Sequence, residues 1–418
     1  MSTSAATLAY RRLRPDAPVG LLAKACLELH PRRGACARCA EACPPKVLSL
    51  THEGLRLDDG CLGCGRCMAT CPTGALAVHG FSLTLAPEPT LEALVLDCWK
   101  VPEHLSPPGA VRVPCLGGLS VSHLLALRYV AGSRRFALLD RGWCGQCAAG
   151  RHDGHPAQTA LSATRDWLKE IGAPESHWPV LDKQPLAVSF QRQTISDDAD
   201  ASPVKRRDFL SRLARQVAAT VSEVGAFRIE EKAAGRLVRP VRGLAPLRAI
   251  EREHQLLLLE QLAARYGGSL PARFFPVVEI GPDCRDHRLC VNLCPTGALG
   301  SYQDNNGGGV KFDAAACIAC GQCQRICPEH AVRLQPQPAR GLPRDRSITL
   351  TRHALRTCAE CGETFSADGR ESRCPTCRKS KDFARAGFDT LFRDTSDREA
   401  AQGCAGCGPK DGNGRNKH

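Results

Sequence analysis

Apolar residues in this chain come in short runs, and their period changes from stretch to stretch. Two brief runs, Pro45-Lys46-Val47-Leu48-Ser49-Leu50 and Thr73-Gly74-Ala75-Leu76-Ala77-Val78, each follow a group of cysteines and predict short strands. From Leu91 the pattern alternates. Leu91 to Asp97 and Val111 to Val113 read as buried strands, Ser120 to Val130 as a helix capped by Ser120 or Ser122, and Phe136 to Asp140 as another strand. Thr159 to Ile171 has the spacing of an amphipathic helix and stops near Gly172. Strands alternating with helices predict a parallel α/β sheet, which presents ligands at the carboxyl ends of its strands. Ser196 to Pro203 is acidic, lacks apolar anchors and reads as a linker. Beyond it Phe209, Leu213, Val217, Val221 and Val224 recur at helical spacing. A second helix is expected from about Pro246 to Tyr266, closed by Gly267. The apolar faces of these two helices read either as core packing or as docking surface for a partner subunit.

Composition narrows the chemistry. The chain has 418 residues, enough for several domains, with 25 Cys and only 2 Met. The cysteines fall in short clusters, which read as metal ligands in a reducing, cytoplasmic compartment and not as a disulfide framework. Small Cys-rich modules bury too little apolar area to fold alone, so bound metal takes over part of the core's role. The formal charge of +13 favours anionic partners, namely an acidic redox protein, nucleic acid or a membrane surface, although an Arg-rich composition alone would give the same balance. No run of 18 apolar residues exists, so no transmembrane helix is expected. Arg11, Arg12 and Arg14 lack the apolar run of a secretory signal. Lys205-Arg206-Arg207-Asp208-Phe209-Leu210 resembles a twin-arginine motif, but it is internal and Arg212, Arg215 and Glu223 follow it, so export is not expected.

Cys61, Cys64, Cys67 and Cys71, with Pro72, have the spacing Cys-x2-Cys-x2-Cys-x3-Cys-Pro, and the run returns at Cys317, Cys320, Cys323, Cys327 and Pro328. That spacing holds 4Fe–4S clusters. Gly63 and Gly65 let the backbone curl without a Cβ in the way. A pair of zinc knuckles would need two Cys pairs but not the Cys-Pro ending. Upstream, Cys36, Cys39 and Cys43, with Pro44, repeat the run without its first Cys, and Arg33 stands in that place. In two-cluster ferredoxins the last Cys of each run serves the other cluster. So Cys61, Cys64, Cys67 and Cys43 are expected to hold one cluster, and Cys36, Cys39 and Cys71 the second. Cys26 is either the fourth ligand of that second cluster or a small buried thiol on an amphipathic helix from Leu21 to Leu29.

In the C-terminal copy, crossing assigns Cys294 to Cys317, Cys320 and Cys323. Its partner run is Cys284, His287, Cys290 and Cys294, with His287 at the second Cys position. Three readings stay open. The imidazole ligates iron and raises the potential, the iron at that corner is absent and Cys284, Cys290 and Cys327 hold a three-iron cluster, or His287 is an exposed loop residue. On these motifs, residues 1–82 and 271–337 resemble bacterial-type ferredoxin domains with two 4Fe–4S clusters. The resemblance implies a small α+β fold with internal pseudo-symmetry.

Between these segments, Cys98, Cys115, Cys144 and Cys147 each follow a predicted strand. Val111 to Gly118, Leu124 to Ala126, Ala137 to Asp140 and Gly145-Gln146-Cys147 resemble the delta (iron–sulfur) subunit of methyl-viologen-reducing hydrogenase. The resemblance implies electron transfer between a hydrogenase and a heterodisulfide reductase. The family's paired Cys around a Trp is here Cys98-Trp99 alone, and its last Cys pair is more widely spaced than Cys144 and Cys147. The four thiols would hold a 2Fe–2S cluster or a zinc ion stapling the sheet.

Cys358-x2-Cys361-x12-Cys374-x2-Cys377 has the spacing of a zinc ribbon, with two knuckles holding a structural zinc between two β-hairpins. Arg370, Arg373, Arg378, Lys379 and Lys381 make it basic. Cys404 and Cys407 lie in a Gly-rich polar tail expected to be disordered.

The expected architecture is multi-domain α+β and α/β. It comprises a dicluster ferredoxin domain at 1–82, a parallel-sheet α/β domain at 90–182 and a linker at 183–204. A helical segment at 205–270, a second dicluster domain at 271–337, a zinc ribbon at 345–395 and the tail at 396–418 complete it. No nucleophile with a base and no Gly-rich nucleotide loop is present. The expected role is an electron-transfer subunit with three to four 4Fe–4S clusters and no substrate-converting site. Its partner would be a larger redox complex of hydrogenase, heterodisulfide-reductase-like or formate dehydrogenase type. The other readings are an assembly or maturation factor docking on an apo-oxidoreductase, and an iron–sulfur sensor touching nucleic acid through the ribbon. Nucleic acid is not the expected partner.

Overall fold

The computed structural model describes residues 9–14, 18–30, 36–51, 54–81, 92–150, 154–187, 228–230, 237–238, 245–304, 307–336, 347–367 and 371–402. The linker from Ser196 to Pro203, the helix expected over Phe209 to Val224, the twin-arginine-like stretch, Arg33, Arg370, and the pair Cys404 and Cys407 lie outside these residues.

In the N-terminal module each cysteine run leads into one short strand, Leu48–Thr51 and Leu76–Val78. Val19–Leu21 pairs antiparallel with Leu76–Val78, and Leu48–Thr51 pairs with Gly54–Leu57. Leu13, Val19, Leu21, Leu48, Leu55, Leu57 and Leu76 form the core, and Cys43 and Cys67 are buried among them. No helix covers Leu21 to Leu29. The chain there is the end of a strand followed by one 3-10 turn, Ala23–Ala25. Leu21 is committed to a sheet partner and the Leu22 N–H donates to the Ala75 carbonyl at 2.8 Å, so the backbone is extended where a helix was expected.

The segment expected to be helical also contributes strands. Arg228–Glu230 pairs parallel with Ala9–Arg12, and Leu237–Val238 pairs antiparallel with Gly54–Leu57. Stretches of two or three residues carry too little periodicity to be seen in the sequence, and a distant partner strand decides their conformation.

The middle module is a parallel sheet in the order Val111–Val113, Ala93–Cys98, Arg135–Asp140, Val180–Lys183. Helices Val121–Ala131 and Gln158–Glu170 cover it, and Leu96, Phe136, Leu138, Leu124, Leu127 and Leu161 are sealed from solvent. Ser120 caps the first helix. Its Oγ accepts the His123 N–H at 3.3 Å, while its own N–H donates to His123 Nδ1 at 3.0 Å.

Helix Ile250–Tyr266 stops at Gly267, whose φ of +70° opens the left-handed turn. Its faces meet three modules. Ile250 joins the N-terminal core, and Leu258, Leu259, Leu262 and Ala263 pack with Leu125, Leu168 and Ile171 of the middle module. Arg252 donates to the carbonyls of Phe274, Ala314 and Ala315 at 2.6–3.1 Å, and its guanidinium lies 3.5 Å over the Phe274 ring. Glu251 accepts from Ser122 Oγ at 2.7 Å. The helix is therefore core packing, and through it residues 1–301 and 310–350 form one compact unit.

In that unit the C-terminal ferredoxin-like module pairs Val277–Ile280 with Val332–Gln335 around Val278, Leu299, Val310, Phe312 and Val332. The second unit comprises residues 302–309 and 351–418. Leu355–Thr357 and Thr364–Ser366 form its hairpin. The two-hairpin expectation is corrected here. The second Cys pair opens a helix, Pro375–Gln402, which also runs into the stretch expected to be a disordered tail. Pro375 suits the first helical turn, because its missing N–H is one the helix leaves unpaired anyway.

Candidate metal centres

The fold gathers cysteines distant in sequence. Cys43, Cys61, Cys64 and Cys67 line one pocket of about 370 Å³, walled by Val19, Leu48 and Leu57. Gly63 and Gly65 take φ of +59° and +75° and curl the loop around it. Burial, then the nearby sulfurs of Cys64 and Cys39, pushes the Cys67 thiol well above its ordinary value. Cys26, Cys36, Cys39 and Cys71 form a second group. Burial raises Cys26 to about 11 and Cys39 to about 12, and Cys71 is an electrostatic neighbour of both and of Cys36. Cys26 sits just past its 3-10 turn, within this group.

In the C-terminal module Cys294 joins Cys317, Cys320 and Cys323, and burial raises Cys317 and Cys323 each to about 12. Cys284, Cys290 and Cys327 share a pocket of about 360 Å³ with His287. His287 Nε2 lies 2.8 Å from Glu329 Oε1, and the hydrogen bond from His287 lowers the Glu329 carboxyl. The backbone of this loop is informative. In the two loops with a full set of Cys, the residues flanking the second Cys are left-handed, at φ +59° and +75° for Gly63 and Gly65 and +52° and +72° for Ala319 and Gly321. Asp286 and Arg288 flank His287 with φ of +49° and +56°, without a glycine. Left-handed backbone costs non-glycine residues about 1–2 kcal/mol each. The loop thus holds His287 in the slot that Cys64 and Cys320 occupy in their own loops. The Arg288 Nε–H donates to Asp286 Oδ2 at 3.0 Å and braces the turn. Glu329 is a partner the motif reading missed; its place two residues after Cys327 was the available signal.

In the middle module Cys98, Cys115, Cys144 and Cys147 line a pocket of about 450 Å³ with Leu116, Leu139, Trp143 and Pro156. Cys98 ends its strand, Cys115 follows Val113 by two residues and Cys144 follows Asp140, so all lie at the carboxyl ends of the parallel strands. Beneath them lies Asp97, fully buried, which accepts from Arg141 Nη2 at 2.8 Å, Ser106 Oγ at 2.9 Å and the Cys98 N–H at 2.9 Å. Burial raises Cys98 to about 11 and Cys144 to about 12. The donor atoms of Asp140, Cys144 and His155 lie within 4.8 Å of one another. Neither Asp140 nor His155 was legible as a site residue, since no spacing rule links them to the cysteines.

All these groups offer thiols in largely apolar walls, a donor set that suits iron–sulfur clusters or zinc and not hard cations. They are also neighbours. Cys115 and Cys64 interact electrostatically, and Gly118 packs so closely that a Cβ there would overlap the Cys64 carbonyl oxygen and lie 3.2 Å from Gly65 Cα. Cys67 interacts with Cys39. Cys36 and Cys320 pack against the same apolar trio, Leu27, Leu247 and Ala249, with Ile318 beside them. Cys290, Cys327, Cys317 and Cys323 pack against one core.

In the second unit the sulfurs of Cys358, Cys361, Cys374 and Cys377 also lie within 4.8 Å of one another. Backbone N–H groups of Cys361 and Cys374 lower Cys358 to about 6, the latter at 3.2 Å from its sulfur.

Comparison with known families fits two of these regions. Residues 32–75 match a 4Fe–4S dicluster domain, and residues 310–333 match a 4Fe–4S binding domain. Among curated proteins, the ferredoxin-like protein YdiT of Escherichia coli (strain K12) is 29% identical over 58 residues, which cover 14% of this chain and 57% of that protein. The chain thus spans just over half of the relative it matches. It carries two ferredoxin-type 4Fe–4S regions beside a parallel α/β sheet. Among the described residues no helix is long and apolar enough to cross a membrane.

Proposed function

We propose that the chain is an electron relay in which five thiol-lined centres stand in one file. The file runs from Cys98, Cys115, Cys144 and Cys147 to Cys43, Cys61, Cys64 and Cys67, then to Cys26, Cys36, Cys39 and Cys71. It continues to Cys294, Cys317, Cys320 and Cys323 and ends at Cys284, Cys290 and Cys327 with His287. The observation that carries this reading is contiguity: each group touches or packs beside the next, although their sequence positions are interleaved. Bound iron–sulfur clusters supply one-electron couples. The chain's own residues hold the centres close, keep water out with leucine and valine walls and tune each site through its ligands and hydrogen bonds.

The two ends are the atypical sites, and each has a large apolar side chain exposed beside it. Trp99 is 42% exposed next to Cys98, and Leu289 is 38% exposed next to Cys290. As the terminal members of the file, these two sites are the proposed points of entry and exit for a larger oxidoreductase. The resemblance of residues 90–182 to the hydrogenase delta subunit supports a partner of hydrogenase or heterodisulfide-reductase type at the Trp99 end, and the four thiols of the middle site would hold a 2Fe–2S cluster. His287 is proposed as the fourth ligand of the last centre, which would set its potential above that of its neighbour. Cys358, Cys361, Cys374 and Cys377 are proposed to hold a structural zinc.

The test is anaerobic iron, sulfide and zinc analysis, with an EPR-monitored redox titration of the full chain. Five reducible centres and one zinc are expected. Zinc alone, with no response to reductant, would refute the relay.

A further inference from the structure

His155 lies beside the middle site, grouped with Asp140 and Cys144. The Ala157 N–H donates to His155 Nδ1 at 3.3 Å. An acceptor at Nδ1 places the ring's proton on Nε2, because a neutral imidazole has one donor and one acceptor nitrogen. That Nε2 is buried and has no hydrogen-bond partner among the described residues. A buried, unsatisfied N–H costs about 1–3 kcal/mol, so its position needs an acceptor. Two candidates stand beside the ring: one imidazole nitrogen, the Cys144 sulfur and an Asp140 carboxylate oxygen lie within 4.8 Å of one another. Asp140 already accepts the Gly142 N–H at 2.9 Å. A protonated thiol is a poor acceptor, but a thiolate bound to iron is a charged one. The same tautomer argues against ligation, since a metal at Nε2 would need the lone pair there and a proton on Nδ1, where the Ala157 N–H points.

We propose that His155 Nε2–H donates a hydrogen bond to the Cys144 sulfur when that thiolate holds a cluster, and so raises the centre's reduction potential. His155 is a positioning residue here. One added electron makes the sulfurs more negative, so the donor favours the reduced state over the oxidised one. This inference rests on the reading that the four middle thiols hold a redox cluster.

The experiment is an anaerobic EPR redox titration of the full chain carrying His155→Leu, His155→Gln or no change, with iron counted in each. In His155→Leu the reduced-to-oxidised ratio of the middle centre at the unaltered midpoint should fall about tenfold, equivalent to about 59 mV for one electron. Iron content and the other midpoints should be unchanged. His155→Gln keeps an N–H donor and should recover part of the shift, and it also serves as the folded variant if Leu is not tolerated. An unchanged midpoint in both variants overturns the proposal. Loss of the middle centre's iron in either variant also overturns it, by making His155 a ligand. If the His155→Leu shift vanishes in an Asp140→Asn background, the proton goes to Asp140 and the proposal fails. Zinc in the middle site of the unaltered protein fails the underlying cluster reading, and metal analysis shows it before any variant is made.

Discussion

Gly118→Ala probes the joint between the middle site and the first ferredoxin-type region. The new methyl would overlap the Cys64 carbonyl oxygen and stand 3.3 Å from the Cys64 carbonyl carbon and 3.2 Å from Gly65 Cα. All three are backbone, so no rotamer change relieves the clash. The turn Leu116–Gly118 and the loop around Cys64 must part. Overpacking of this kind costs about 1–3 kcal/mol. Against that, Gly→Ala removes freedom from the unfolded chain and returns about 0.4–1 kcal/mol. Gly145→Ala is the matched control, because its Cβ meets nothing within 4 Å and should show only the entropic gain. The difference between the two variants is therefore the overpacking cost alone, about 1–3 kcal/mol. Anaerobic urea unfolding at constant slope measures it. In the EPR spectrum, the dipolar interaction between centres at Cys64 and Cys115 should weaken in Gly118→Ala and persist in Gly145→Ala. Equal stability of the two variants would refute the close joint.

Other outcomes can be checked with the same preparations. Asp97→Ala leaves the Arg141 guanidinium, 7% exposed, without its carboxylate and should lower stability by about 3–5 kcal/mol in urea unfolding. His287→Cys should lower the potential of one C-terminal centre; an unchanged redox titration would count against ligation there. Metal-free protein should lose stability as pH rises. Its Cys39, Cys317 and Cys323 thiols are raised from 9.0 to about 12, so the native state holds these protons more tightly than the unfolded chain. Their contribution is complete below about pH 9 and is lost on the way to about pH 12. Urea midpoints at pH 8 and pH 10 test the sign, and the higher pH should give the lower midpoint. Cys374→Ser should remove one zinc and leave the iron count unchanged by elemental analysis.

The local chemistry was written in the chain. Cys spacing, the Cys-Pro endings and the glycines beside Cys64 specify loops that curl around a compact centre, because those features act over a few bonds. The alternating strands and helices of residues 93–183 likewise follow from a period any buried parallel sheet imposes. Tertiary structure decided the rest. Cys26 could be placed with Cys36, Cys39 and Cys71 only once Leu21 had paired with Leu76 and the Leu22 N–H with the Ala75 carbonyl, which ruled out a helix. Helix Ile250–Tyr266 was ambiguous because its apolar residues face two different cores, and an apolar face does not say which neighbour covers it. Which thiol groups become neighbours could not be read at all. It depends on contacts such as Gly118 with Cys64 and Cys36 with Leu247 and Cys320, between residues tens to hundreds of positions apart. Spacing rules describe what one loop can hold; only the packing of whole modules sets which loops become neighbours.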